Sequence, residues 1–219
     1  MDQVVHGSAR VLEKGETIVG ILSPLAYGVH ERITVFTHPA LILLLTPNIW
    51  IRGAVLQGSS GLALEGGYQQ SLLVLDSGSG TEETASQTPG FGQLGAVYSQ
   101  RFTPSFQLSA ALGYLIRFGE QQDIKGSSAS GLYYRLGGHL LLGENHLVIA
   151  ELRGNWLPEG DFELPSGTLV YAHQFGRARL GVGLVAGDFP IRTDFTGTSS
   201  GGDPFHLYVY PWLDVWWRF

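Results

Sequence analysis

The chain has 219 residues, with 31 glycines, no cysteine and a formal charge of −6. That length suits one large domain, the charge argues against a nucleic-acid partner, and the lack of cysteine excludes a disulfide framework and thiolate metal sites. Only 15% of residues are charged, well below the roughly 25% of ordinary soluble domains.

Met1–His6 has neither a basic start nor an apolar segment, so no signal peptide is visible, and an exported protein would be present here in its mature form. Three strands are expected before Pro47, over 4–12, 16–27 and 31–44, with turns at Glu13-Lys-Gly-Glu16 and Gly28-Val-His-Glu31. Pro24 and Pro39 count against these strands, because proline donates no ladder hydrogen bond. The alternative is ten strands in all. The longest apolar run, Ala40 to Leu45, is far short of the ~20 residues of a spanning helix.

From Pro47 onward, nine strands are expected, the first over 47–57. Alternate side chains of a strand point to opposite faces. In 62–75, Leu62, Leu64, Tyr68, Leu72 and Val74 oppose Glu65, Gln69 and Ser71; in 93–102, Leu94, Ala96, Tyr98 and Phe102 oppose Gln93, Ser99 and Arg101. The same alternation runs through 106–118, 131–142, 146–156 and 178–187, and less cleanly through 164–175. It is plainest in 206–219, where Leu207, Val209, Pro211, Leu213, Val215, Trp217 and Phe219 share one parity. Connectors alternate in length. Short ones cover 57–61, 103–105, 143–145 and 176–177, and long polar ones cover 76–90, 119–130, 157–163 and 193–205.

Short turns on one rim and long loops on the other describe a transmembrane β-barrel. The expected fold is therefore all-β, a single closed antiparallel transmembrane β-barrel of twelve strands over residues 1–219. Closure is required because lipid cannot satisfy a strand edge. The ending Trp217-Arg218-Phe219 resembles the C-terminal assembly signal of Gram-negative outer-membrane proteins, with Phe219 last and Trp217 two positions earlier. Asp214 stands where that signal usually has glycine. The stretches Ser8–Gly15 and Leu25–Ile33 also resemble the opening of many outer-membrane barrels. The resemblance implies a bacterial outer-membrane location, a lipid bilayer as surroundings, and recognition of Trp217 and Phe219 by the barrel-assembly machinery.

Charge patterning is the best functional clue. Eleven of the 13 basic residues are arginine. Arg52, Arg101, Arg117, Arg135, Arg153, Arg179 and Arg218 fall on the inward parity, with only Glu65, Glu151 and Asp214 among the acids. These residues, with His139, are the candidate lumen lining. Arginine stays charged and forks onto carboxylates or phosphates, and pore rings of arginine favour anions. The leading expectation is a small passive pore for anionic solutes, and the alternative is a plugged structural or surface-interaction barrel without transport, in which pairs such as Arg153–Glu151 and Arg218–Asp214 only hold the fold and the loops do the work. A lipid-modifying enzyme is less favoured. His6-Gly-Ser8 is near a terminus, and Ser166 and His173 lie over ~20 Å apart along one strand. His139 is read as a polar lumen residue rather than a base. No cofactor and no metal-ligand spacing is found. A soluble lipocalin-like barrel would instead turn the apolar parity inward. Trp156 is expected at the outer rim and Trp217 at the periplasmic rim.

Overall fold

The computed structural model describes residues 7–70, 72, 90–118, 130–156, 166–187 and 209–219, and leaves the side chains of Arg117 and Phe118 undescribed. Twelve antiparallel strands close into one barrel. They are β1 (Thr17–Gly20), β2 (Leu25–His30), β3 (Ile33–Thr37), β4 (Asn48–Leu56), β5 (Ser60–Gln70), β6 (Gly90–Thr103), β7 (Phe106–Phe118), β8 (Gly131–Leu142), β9 (His146–Trp156), β10 (Ser166–Phe175), β11 (Ala178–Ala186) and β12 (Val209–Arg218). Each strand pairs with its sequence neighbours, and β1 closes the ring on β12 through Ile18–Arg218, Val19–Trp217 and Gly20–Trp216. The start of β1, the end of β12 and the turns after β2, β4, β6, β8 and β10 share one rim, called here the turn side, while the turn at 21–24 is at the opposite end of β1.

Alternation decides which way each side chain points. Leu94 (68% exposed), Leu112 and Leu213 (both 60%) project outward, whereas Ala63, Val97 and Ala111 of the opposite parity are buried. A soluble ligand-binding barrel would reverse this parity.

The total of twelve strands agrees with the sequence reading, but the first three strands are built differently. Residues 7–12 are not a strand. The stretch 16–27 is two strands, β1 and β2, with a turn at 21–24 that contains Pro24. The turn expected at 28–31 falls at 31–32, because Gly28 is taken into β2. There its N–H donates to Glu16 O (2.9 Å) and its carbonyl accepts from Gly15 N–H (2.8 Å). A Cβ at Gly28 would collide with the Glu13 carbonyl oxygen, so this close approach requires glycine.

The expected strand 31–44 stops at Thr37. Pro39 opens a five-residue helix, α1 (Pro39–Leu43), at a position where its missing N–H costs nothing. Asn48 ties down the base of this connector. Its Oδ1 accepts from His38 N–H (2.6 Å), and its Nδ2 donates to the carbonyls of His38 (3.2 Å) and Thr46 (3.0 Å). Thr37 Oγ1 adds a bond to Asn48 O (2.8 Å).

Candidate functional site: the barrel interior

A twelve-strand ring encloses more space than its own side chains fill, unlike an eight-strand one. Here the chain fills part of it. Residues 7–12 cross the turn-side half of the interior as irregular chain, with a turn at Gly7 and bends at Ser8 and Ala9, and Ser8, Ala9 and Leu12 are 0%, 1% and 1% exposed. Gly7 sits beside Glu151 and His139. Ala9 packs on the small side chains Ala63, Val97 and Ala111, and Leu12 packs on Ala26 and Phe36 with Ile18 and Trp50 around them.

The backbone of this segment pairs with side chains of the wall rather than with a strand. Ala9 N–H donates to Ser99 Oγ (2.7 Å), and Leu12 N–H donates to Thr34 Oγ1 (2.7 Å). Arg52 Nη1 donates to Arg10 O (3.4 Å). Ser99 and Ser109 share a hydroxyl–hydroxyl bond of 2.8 Å, and Gln107 approaches Ser109 at 3.5 Å. Buried backbone groups need such partners, since leaving one unpaired costs about 1–3 kcal/mol. Thr34, Ser99 and Ser109 thus act as a receiving track. Sequence reasoning passed over these hydroxyls because on a strand they look like ordinary lumen polarity.

Above the segment lies an ion-pair chain. Arg52 reaches Glu65 Oε2 through Nη2 (2.9 Å) and Nε (3.3 Å), and its guanidinium sits 4.9 Å over the Phe36 ring. The other oxygen, Glu65 Oε1, accepts from Arg135 Nη2 and Tyr133 OH, each at 3.4 Å. Arg135 Nε then lies 4.0 Å from Glu151 Oε2. Tyr133 can lie flat across the wall because Gly95 and Gly113, paired in register, present no Cβ to its ring.

The remaining expected lining residues are placed separately. Arg153 donates from Nε to Ser166 Oγ (3.0 Å), and its direct partner is not Glu151. Arg179 is buried and donates to Gln174 Oε1 (2.5 Å). Arg101 is partly buried near the turn-side end of β6, and His139 is 1% exposed beside Gly7. Arg117 pairs in register with Phe91, and its side chain lies outside the described residues.

Arg218 and Asp214 do not pair with one another. Arg218 meets Glu16, an acid the sequence reading left in a turn. Asp214 instead accepts from Leu22 N–H and Ser23 N–H, both at 2.8 Å, and from the Ser23 hydroxyl. Two residues facing inward on one strand look like a pair when only the strand is considered. The neighbouring turn at 21–24 supplies closer donors, which explains the aspartate at 214.

Trp156 is half exposed at the long-connector end of β9, and Trp217 lies on the outer face at the turn side with Phe219 (60% exposed) just beyond it. Ser166 and His173 stand near opposite ends of β10, and His6 lies outside the described residues. Among the described residues, no group of three or more His, Cys, Asp or Glu is arranged to hold a metal ion.

The class defined by this fold and interior is a closed twelve-strand antiparallel barrel with part of its own chain inside. No protein-family model matches the sequence, and no curated protein proves similar to it.

Proposed function

We propose that this chain is a bacterial outer-membrane β-barrel held closed at its turn side by residues 7–12. The observation that carries the reading is the burial of Ser8, Ala9 and Leu12 inside the ring of strands. Nine strands, β4–β12, have 9–14 residues each, enough for tilted membrane strands of about 9–11 residues. Their outer face carries Ile51, Leu94, Leu112, Leu136, Leu184 and Leu213, all about half exposed or more. An apolar belt of this extent is costly in water and suits hydrocarbon. Phe102, Phe175 and Phe219 lie on the outer face near the turn-side rim, and Trp156 lies at the other rim, as aromatic girdles do.

Over β1–β3 the wall is only 4–6 residues tall. There the exposed side chains of Ile42, Leu43, Leu44 and Leu45, in and just after α1, continue the apolar surface. Bilayer lipid is the partner this exterior suits, and the exposed end at Trp217 and Phe219 suits the barrel-assembly machinery.

The plugged barrel is favoured over the open pore because backbone, and not only side chains, occupies the interior. A second reading keeps the anion preference. Arg52, Arg135, Arg153 and Arg179 face inward against Glu65 and Glu151, so displacing the segment would expose a net positive lumen that attracts anions. The test is extraction followed by planar-bilayer recording. The chain should need detergent to stay monodisperse, and should show no steady conductance in a salt gradient. Monodispersity in plain buffer would overturn the membrane reading, and a steady open conductance of the intact chain would overturn the closed one.

A further inference from the structure

On the outer face near the turn-side rim, where neither the lumen network nor the N-terminal segment reaches, His146 of β9 and His173 of β10 stand directly opposite each other in register. Their rings lie 4.6 Å apart, and their Nδ1 atoms are 3.2 Å apart. Tyr171, on the same face of β10, places its hydroxyl 2.5 Å from the same His146 Nδ1. Phe175 packs edge-on against His173 at 4.3 Å and backs that ring.

Hydrogen bonding alone leaves this arrangement overcrowded. A ring nitrogen carries one proton or one lone pair, so His146 Nδ1 can complete one linear bond, yet two polar atoms are aimed at it. Two imidazole nitrogens bound to a tetrahedral divalent metal at about 2.0–2.1 Å would be about 3.3 Å apart, which is close to the His146–His173 separation; the Tyr171 oxygen, 2.5 Å from His146 Nδ1, is at hydrogen-bond distance and would swing out by roughly 1 Å to become a ligand. Imidazole is a preferred donor for zinc and copper. The pairing is also rigid, because adjacent strands fix both Cα positions through the ladder.

We propose that His146, His173 and Tyr171 form a binding site for one divalent late-transition cation of the zinc and copper type. Both imidazoles bind neutral through Nδ1. The tyrosine binds as phenolate and releases its proton to solvent, and the fourth position faces outward. The site is independent of whether the lumen is open.

Cu2+ alone, added to the full-length chain in detergent, is the probe. The intact chain should bind one equivalent more than the double variant His146→Ala/His173→Ala, and paramagnetic resonance of that equivalent should show splitting from two nitrogens. Tyr171→Phe should keep the two-nitrogen signal and lose the phenolate-to-copper absorption band. His173→Gln, which keeps a polar side chain in the ladder, should reduce the signal to one nitrogen and serves if the double variant does not fold. Equal binding by intact chain and variants, or an added equivalent without nitrogen splitting, would overturn the site.

Discussion

The nine strands β4–β12 and the three strands β1–β3 close the same ring by different means. The long strands hold each other through ladders of eight or more registered pairs, as β6 and β7 do from Gly90–Phe118 to Thr103–Phe106 with one register shift near the turn. Between β1 and β2 only two pairs are registered, Thr17–Tyr27 and Ile18–Ala26. What the short sector lacks in ladder, it gains in side chains that bind backbone. Asp214 holds the 21–23 turn, Asn48 holds the α1 connector, and Thr34 and Ser99 hold the segment inside. The difference teaches that periodic sequence builds the wall, while single polar residues at particular positions build the closure.

The largest effect on this contrast should come from removing its inner part. Deleting residues 1–12 is expected to turn a silent barrel into one with stepwise conductance favouring anions, read in a planar bilayer under a salt gradient. Next is Glu65→Gln, which takes the carboxylate from Arg52 and Arg135 together. Breaking a buried ion pair from one side typically costs about 3–5 kcal/mol, and denaturant unfolding in detergent should show a loss of that order. Asp214→Ala should cost less, about 2–3 kcal/mol for the bonds to Leu22 and Ser23. Its more specific sign is new protease cleavage within 21–24.

The smallest contrast compares two strand glycines. A Cβ at Gly28 meets the Glu13 carbonyl, while one at Gly53 meets nothing within 4 Å. Gly28→Ala should destabilise by about 1–3 kcal/mol, and Gly53→Ala by less than about 0.5 kcal/mol, both read from the same unfolding curves.

How far the sequence could be read follows the same division. β7, β8 and β9 run from Phe106 to Phe118, Gly131 to Leu142 and His146 to Trp156, the ranges expected from alternation and turn residues. Alternation suggests a strand but does not supply one with a partner. Val5, Gly7, Ala9 and Val11 alternate with polar neighbours well enough to suggest a strand, yet residues 7–12 turn and bend inside the barrel and bind hydroxyls. Partner choice in the interior was equally hidden. Glu65 and Arg52 are registered across β4 and β5, but Arg218 with Glu16 and Asp214 with Ser23 join positions about two hundred residues apart in the chain. The proline at 39 was the one local sign that the third strand would stop early.

The account rests most heavily on residues 7–12 lying within the ring of strands. The chain has no native cysteine, so single-cysteine labelling measures this directly. Ser8→Cys, at a fully buried position, should react with a water-soluble maleimide only after unfolding, while Lys14→Cys, on the exposed turn, should react at once in the folded barrel. Equal and rapid labelling of both in the folded protein would contradict the account.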